Sequence, residues 1–132
     1  MSEILGLDHV QVAAPPGHEN EARRFYGELV GLEELPKPPL LAPRGGVWFR
    51  VGAHELHVGV AEAFTPAAKA HPALLVASPA VLGEIARRLE TTGVDIIWAD
   101  PAEIPGTFRF HVHDPWGNRL ELVARDEAGT NP

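Results

Sequence analysis

The sequence predicts an α+β domain made of two copies of one strand–helix–three-strand (βαβββ) module, its eight strands in a mainly antiparallel sheet with the helices on one face. Three observations predict it. Each half of the chain holds one amphipathic helical stretch, short alternating apolar runs surround each helix, and the two halves overlay at nearly constant offset.

Leu7 to Val12 alternates as a strand does, and Ala13-Ala14-Pro15-Pro16-Gly17 ends it. From His18 to Val30 the period becomes helical, with Ala22, Phe25, Tyr26, Leu29 and Val30 on one face and Gly31 placed to close the helix. Leu32 to Leu35 begins a second strand. Pro36, Pro38, Pro39 and Pro43 make residues 36–46 a loop. Val47 to Val51 and Glu55 to Val60 read as strands joined at Gly52-Ala53.

The order then repeats. His71 to Ala77 is the strand, broken at Ser78-Pro79, and Val81 to Thr92 is the helix, with Val81, Leu82, Ile85, Ala86 and Leu89 on its inner face and Gly93 at its end. Val94 to Trp98, Phe108 to Val112 and Leu120 to Ala124 are the closing strands, the last two joined by His113-Asp114-Pro115-Trp116-Gly117-Asn118. In that turn Asp114 and Asn118 support the backbone and Gly117 supplies a positive φ.

The halves match residue by residue. His9 and His71 lie 62 apart, as do Gly31 and Gly93; Ala22-Arg23-Arg24 matches Ala86-Arg87-Arg88 at 64. Phe49-Arg50-Val51 overlays Phe110-His111-Val112 at 61, and Leu56-His57-Val58 overlays Leu120-Glu121-Leu122 at 64. One domain is expected over residues 1–132, with modules at about 4–62 and 67–126.

Composition narrows the function. Hydrophobic residues at 45% and charged ones at 22% suit a packed globule. A net charge of −7 argues against nucleic acid or an anionic membrane surface as partner. Without cysteine there is neither a disulfide framework nor a thiolate metal site. No signal peptide or membrane span is expected, so the expected location is the cytoplasm.

Strand parity selects the side chains that can carry chemistry, because alternate residues face opposite sides of a sheet. Leu120 and Leu122 face the helix, so Glu121 does not; Leu56, Val58 and Val60 leave His57 with Glu55 and Gly59 opposite. Val10 and Val12 leave His9 and Gln11 opposite, and Leu74 and Val76 leave His71 and Ala73. His9, His57, His71 and Glu121 therefore form a candidate metal set, with Glu55 the alternative to His57. Three imidazoles and a carboxylate suit zinc, nickel, iron, cobalt or manganese. His71 is expected to be the weaker ligand, since Pro72 restricts the backbone beside it. Gln11, Trp48, Arg50, Arg109, His111 and His113 share that face. Of these, Trp48, Arg50, Arg109 and His111 are candidate substrate contacts, the indole by stacking and the arginines by pairing with a carboxylate or phosphonate.

The chain resembles the vicinal oxygen chelate superfamily, which joins glyoxalases, bleomycin-resistance proteins and dioxygenases. The resemblance is carried by Leu7-Asp8-His9-Val10, by Arg24-Phe25-Tyr26-Gly27 through Val30-Gly31-Leu32, and by Asp114-Pro115-Trp116-Gly117-Asn118-Arg119-Leu120-Glu121-Leu122. The stretches Leu56 to Val60 and Lys69 to Ala73 are similar to a bacterial glyoxalase-like subgroup. The resemblance implies a cupped sheet around a divalent ion, ligands at His9, His57, His71 and Glu121, a proton-transfer role for Glu121, and a homodimer. Glyoxalase I carries glutamate where this chain has His57, so its paired-glutamate proton shuttle is incomplete here. The expected function is a metal-dependent enzyme, glyoxalase-like or dioxygenase-like, whose small substrate chelates the ion through two oxygens. The alternative is a protein that sequesters a bleomycin-type antibiotic without turnover.

Overall fold

The computed structural model describes residues 2–126. The chain divides between Thr65 and Pro66 into two compact units, and each holds one strand–helix–three-strand module.

In the first unit β1 (His9–Ala14) leads to α1 (Glu19–Ala22), which continues into the wider helical stretch Arg23–Val30. Strands β2 (Glu33–Leu35), β3 (Val47–Val51) and β4 (His54–Val60) complete a sheet of order β1-β4-β3-β2. β1 runs parallel to β4, while β3 is antiparallel to both its neighbours. A parallel pairing needs a crossover, and the helix supplies it. The sequence places β1 at Leu7 to Val12; it sits two residues later because its partner sets its extent, from His9 opposite Glu55 to Ala14 opposite Val60. Residues 23–30 depart from the expected α geometry toward π bonding, with Gly27 lowering the cost. Both Gly31 and Leu32 donate to the Tyr26 carbonyl, and Gly31 takes the left-handed φ of 97° foreseen for it. Phe25, Tyr26 and Val30 are buried with Val47, Phe49, Leu56 and Val58, Tyr26 lying 5.9 Å from Phe49. Each such apolar side chain contributes about 1.5–3 kcal/mol on burial.

The proline-rich loop is pinned, not loose. Glu19 accepts a 2.8 Å hydrogen bond from the Gly46 N–H, and Lys37 donates to the carbonyls of Gly45 and Gly46. A side chain at Gly46 would meet the Val58 carbonyl at 2.5 Å, and one at Gly45 would meet Glu19 at 2.9 Å, so both positions need glycine.

The second unit repeats the plan as β5 (Ala73–Leu75), α2 (Pro79–Glu90), β6 (Ile97–Trp98), β7 (Thr107–His113) and β8 (Arg119–Arg125), in order β5-β8-β7-β6. β5 is parallel to β8, and the other pairs are antiparallel. The eight expected strands are thus two sheets of four. β5 is shorter than foreseen because Pro72 has no N–H to give the ladder. α2 starts two residues earlier than foreseen, since Ser78 caps it by accepting from Val81 N–H and Pro79 suits the first turn. β6 is shorter because Val94 closes the helix, donating to the Leu89 carbonyl. Leu82, Ile85, Ala86 and Leu89 are buried, as are Phe110, Val112, Leu120 and Leu122. Among the described residues no helix is long and apolar enough to cross a membrane.

The β7–β8 turn is fixed by Asp114. One carboxylate oxygen accepts from the N–H groups of Trp116 and Asn118, and the other from the Asn118 amide. Gly117, at φ 91°, lets the chain return.

Two stability measurements check this account. Asp114→Ala strands the buried donors and should cost about 2–4 kcal/mol in denaturant unfolding. Asp114→Asn, which keeps one acceptor, should cost less. Gly46 N–H, donating to Glu19, holds that carboxyl below its ordinary value. A group depressed in the fold contributes stability above its unfolded pKa and loses it as pH falls through the folded one. Glu19→Gln should therefore destabilise by about 1 kcal/mol at pH 7, and the difference should close on acidification below about pH 4. A pH-independent difference would mean that packing, not charge, carries the contact.

Candidate metal centre

Strand β8 sets Glu121 between Leu120 and Leu122, both buried in the core, so its carboxylate turns to the other face. Its ladder neighbours are Ala73 on β5 and His111 on β7. The Glu121 N–H donates to the Pro72 carbonyl at 3.0 Å, which draws the segment before β5 against β8.

Three side chains then meet on this carboxylate. His71 Nε2 lies 2.9 Å and His111 Nε2 3.1 Å from Oε1, while Arg109 Nη1 reaches Oε2 at 3.4 Å. Arg109 also donates to Glu103 at 3.0 Å. His111 and Glu121 are each 8% exposed, so the cluster sits largely out of water.

The protonation of His71 follows from its other nitrogen. Nδ1 is 2.8 Å from the Lys69 carbonyl, which can only accept, so Nδ1 carries a proton. Neutral His71 then aims the Nε2 lone pair at a carboxylate oxygen. That arrangement is repulsive unless a proton or a cation lies between them. Burial pushes the His111 imidazole below its ordinary value and the Arg119 charge adds to this, against the attraction of Glu121. Burial acts the opposite way on Glu121, but the pairing with Arg109, together with the hydrogen bond His71 donates and the charge His111 carries whenever those rings are protonated, holds the carboxyl below its usual range. Arg109 does this whatever the state of the histidines. Neutral imidazoles and an ionised carboxylate are the forms a metal needs.

The residues fit a divalent ion. Donors bound at about 2.1 Å and at right angles lie about 3 Å apart, close to the 2.9 and 3.1 Å found here. Among the described residues His71, His111 and Glu121 are the group of three whose donor atoms all come within 4.8 Å of one another. The Lys69 carbonyl and Arg109 act behind them, fixing one ring and one oxygen.

The other candidate ligands lie in the first unit. His9 and His57 stack with centroids 4.2 Å apart, and Trp48 covers the second face of His57 at 4.0 Å, within 1° of parallel. Each imidazole also meets a carboxylate: His57 Nε2 lies 2.8 Å from Glu55, and His9 Nδ1 2.8 Å from Asp8. The His9 hydrogen bond lowers the Asp8 pKa against the effect of desolvation. Arg50 pairs with Glu33 at 3.3 Å.

Four expectations change in detail. Pro72 does not turn His71 aside; its carbonyl receives Glu121 N–H and brings the imidazole in. His111, expected at the substrate, lies with His71 and Glu121 in the group that could hold an ion. Arg109, expected to hold an anionic substrate group, is engaged by Glu121 and Glu103. Glu55 and His57, treated as alternatives, bond to each other. Hairpin register hid the pairing of His111 with Glu121. The overlay of β3 on β7 at 61 puts it opposite Arg50. The ladders pair Trp48 with His57 and His111 with Glu121, so with 121 − 57 = 64 the matching offset is 111 − 48 = 63. A two-residue slip keeps the face and changes the partner.

No family model matches the chain, and no curated protein does. Among solved structures, a protein assigned to the glyoxalase family from Bacillus anthracis is 48% identical, with 96% of this chain and 99% of that one covered at a TM-score of 0.85. A lactoylglutathione lyase from Agrobacterium tumefaciens shares the fold at 20% identity, TM-score 0.69 and coverage of 93% and 96%. The fosfomycin resistance protein FosX from Listeria monocytogenes shares it at 16% identity, TM-score 0.73 and coverage of 95% and 97%. At 48% identity over almost the full length of both chains, this protein belongs to the glyoxalase family, within the vicinal oxygen chelate superfamily.

Proposed function

We propose that the protein is a metal-dependent enzyme whose small substrate binds a divalent ion through neighbouring oxygen atoms. One observation carries this reading: two imidazole nitrogens and an arginine converge on the Glu121 carboxylate, with the tautomer of His71 fixed so that Nε2 is the donor. His71, His111 and Glu121 would hold the ion. A divalent ion there supplies Lewis-acid stabilisation of negative charge developing on substrate oxygens. Lys69 holds His71 in its ligating tautomer through the backbone carbonyl, and burial favours the neutral form of His111. Arg109 keeps Glu121 ionised and orients its second oxygen, from which the carboxylate can exchange a proton with substrate. The fosfomycin-resistance and lactoylglutathione lyase neighbours support the fold of this reading and leave the substrate open.

Metal binding tests it. Chelator-stripped protein titrated with zinc, nickel, iron(II) or manganese should bind one ion per chain for at least one of them. His71→Ala, His111→Ala and Glu121→Ala should each weaken binding at least about tenfold. Affinity should fall below about pH 6 as the imidazoles take up protons. His9→Ala and His57→Ala separate the two ligand sets: losses as large as that of Glu121→Ala would restore the larger set read from sequence. Failure to bind any of the four metals would favour sequestration of an organic ligand without turnover.

The homodimer belongs to the same proposal. β5 and β6 are the two opposite edges of their sheet; one presents Leu75 at 69% exposure and the other Ile97 at 52% and Trp98 at 50%, apolar edges that a partner would cover. Sedimentation at micromolar concentration should give about twice the chain mass. A monomer there overturns this part alone.

A further inference from the structure

The first unit carries an open cleft of about 520 Å³ lined by Leu35, Pro36, Lys37, Pro38, Trp48, Arg50 and Glu55. It lies within one unit and owes nothing to the metal cluster. Its volume falls in the range of small-molecule sites.

Two ladder rows carry the strand residues that line it, Leu35 and Trp48 in one and Arg50 and Glu55 in the other. Leu35, Trp48, His57 and Gln11 form one, and Glu33, Arg50, Glu55 and His9 the next. The rows place His9, His57 and Trp48 in a three-ring stack. His57 occupies one face of Trp48, so the indole surface that lines the cleft is the opposite face and edge. Pro36 and Pro38 add flat, rigid apolar walls. They are held there by the Lys37 contacts to Gly45 and Gly46 and by the Glu19 bond to Gly46.

The charge of the lining indicates the ligand's sign. Its one carboxylate, Glu55, already accepts from His57 at 2.8 Å. Its two cations are Lys37 and Arg50. Arg50 meets Glu33 through Nε at 3.3 Å, with 54% and 70% of the two side chains exposed. So exposed a pair is weak and easily exchanged, and a guanidinium prefers a carboxylate it can grip with two N–H groups. Arg50 follows Trp48 by two residues on the same strand face, about 7 Å along β3. That is the reach of an aromatic ring plus its carboxyl group.

We propose that this cleft binds a flat aromatic carboxylate, its ring forming the next plane of the His9–His57–Trp48 stack and its carboxylate held by Arg50. Glu55 is a positioning residue: its bond to His57 Nε2 keeps that ring parallel beneath Trp48.

The test is calorimetric titration of chelator-treated protein with 2-naphthoate, with 2-naphthamide, cyclohexanecarboxylate and benzamidine as comparison probes. Naphthoate should bind at least tenfold more tightly than the other three. Trp48→Ala should weaken naphthoate at least tenfold, and Trp48→Phe should recover most of the loss. Arg50→Gln, at an exposed position that leaves the core intact, should weaken naphthoate about tenfold while leaving naphthamide unchanged. Benzamidine binding best would overturn the sign, and cyclohexanecarboxylate binding as well as naphthoate would overturn the stacking. No naphthoate binding at millimolar concentration, or binding unaffected by both Trp48→Ala and Arg50→Gln, would overturn the site. Metal is absent throughout, so these results stand apart from the metal reading.

Discussion

A single buried carboxylate organises the second half of this protein. Glu121 sits on a strand whose neighbours point into the core, and that placement forces a charged group onto a face largely closed to water. A lone carboxylate would be costly there. Arg109 from β7, His111 from β7 and His71 from the segment before β5 are the response, and each comes from a different distance along the chain. Removing Glu121 from the picture would leave the arginine and both imidazoles without a common acceptor. The geometry that suits an ion is therefore also the geometry that makes the buried charge tolerable.

The first half solves a similar problem with other chemistry. Where the second unit places His111 across the ladder from Glu121, the first places Trp48 across from His57. Imidazole against indole stacks, whereas imidazole against carboxylate bonds end to end. The same backbone plan thus yields a flat, layered surface in one module and a convergent polar cluster in the other. The repeated scaffold carries different facing pairs, as expected when function resides in the side chains a fold presents.

Much of the fold was legible because its signals are local. The two helices announced themselves by period, Gly31 and Gly93 by their positions after the last apolar residue, and the β7–β8 turn by Asp114, Gly117 and Asn118. Face assignment was legible too, since alternation needs no partner: Glu121, His71, His111 and Arg109 were all placed on one side. Partnership was not. Which residue of β7 stands opposite Glu121 depends on hairpin register, and a six-residue connection allows several. The effect of Pro72 was equally hidden, because it acts through its carbonyl on a strand almost fifty residues away and not through its local bias. The widened helix at 23–30 has no clear signature beyond Gly27.

The short parallel strand β5 has a consequence for motion. It holds three residues at the edge of its sheet and is attached to β8 on one side alone. Such an edge frays more readily than the long β7–β8 hairpin beside it. His71 and the Pro72 carbonyl lie at its start, so each opening of the edge takes the imidazole away from Glu121. Whatever occupies the space between those two groups acts as a rivet for the strand. Release of an ion held there would be one event with the opening of the edge, and its lifetime would be bounded by how often three residues let go of their neighbour.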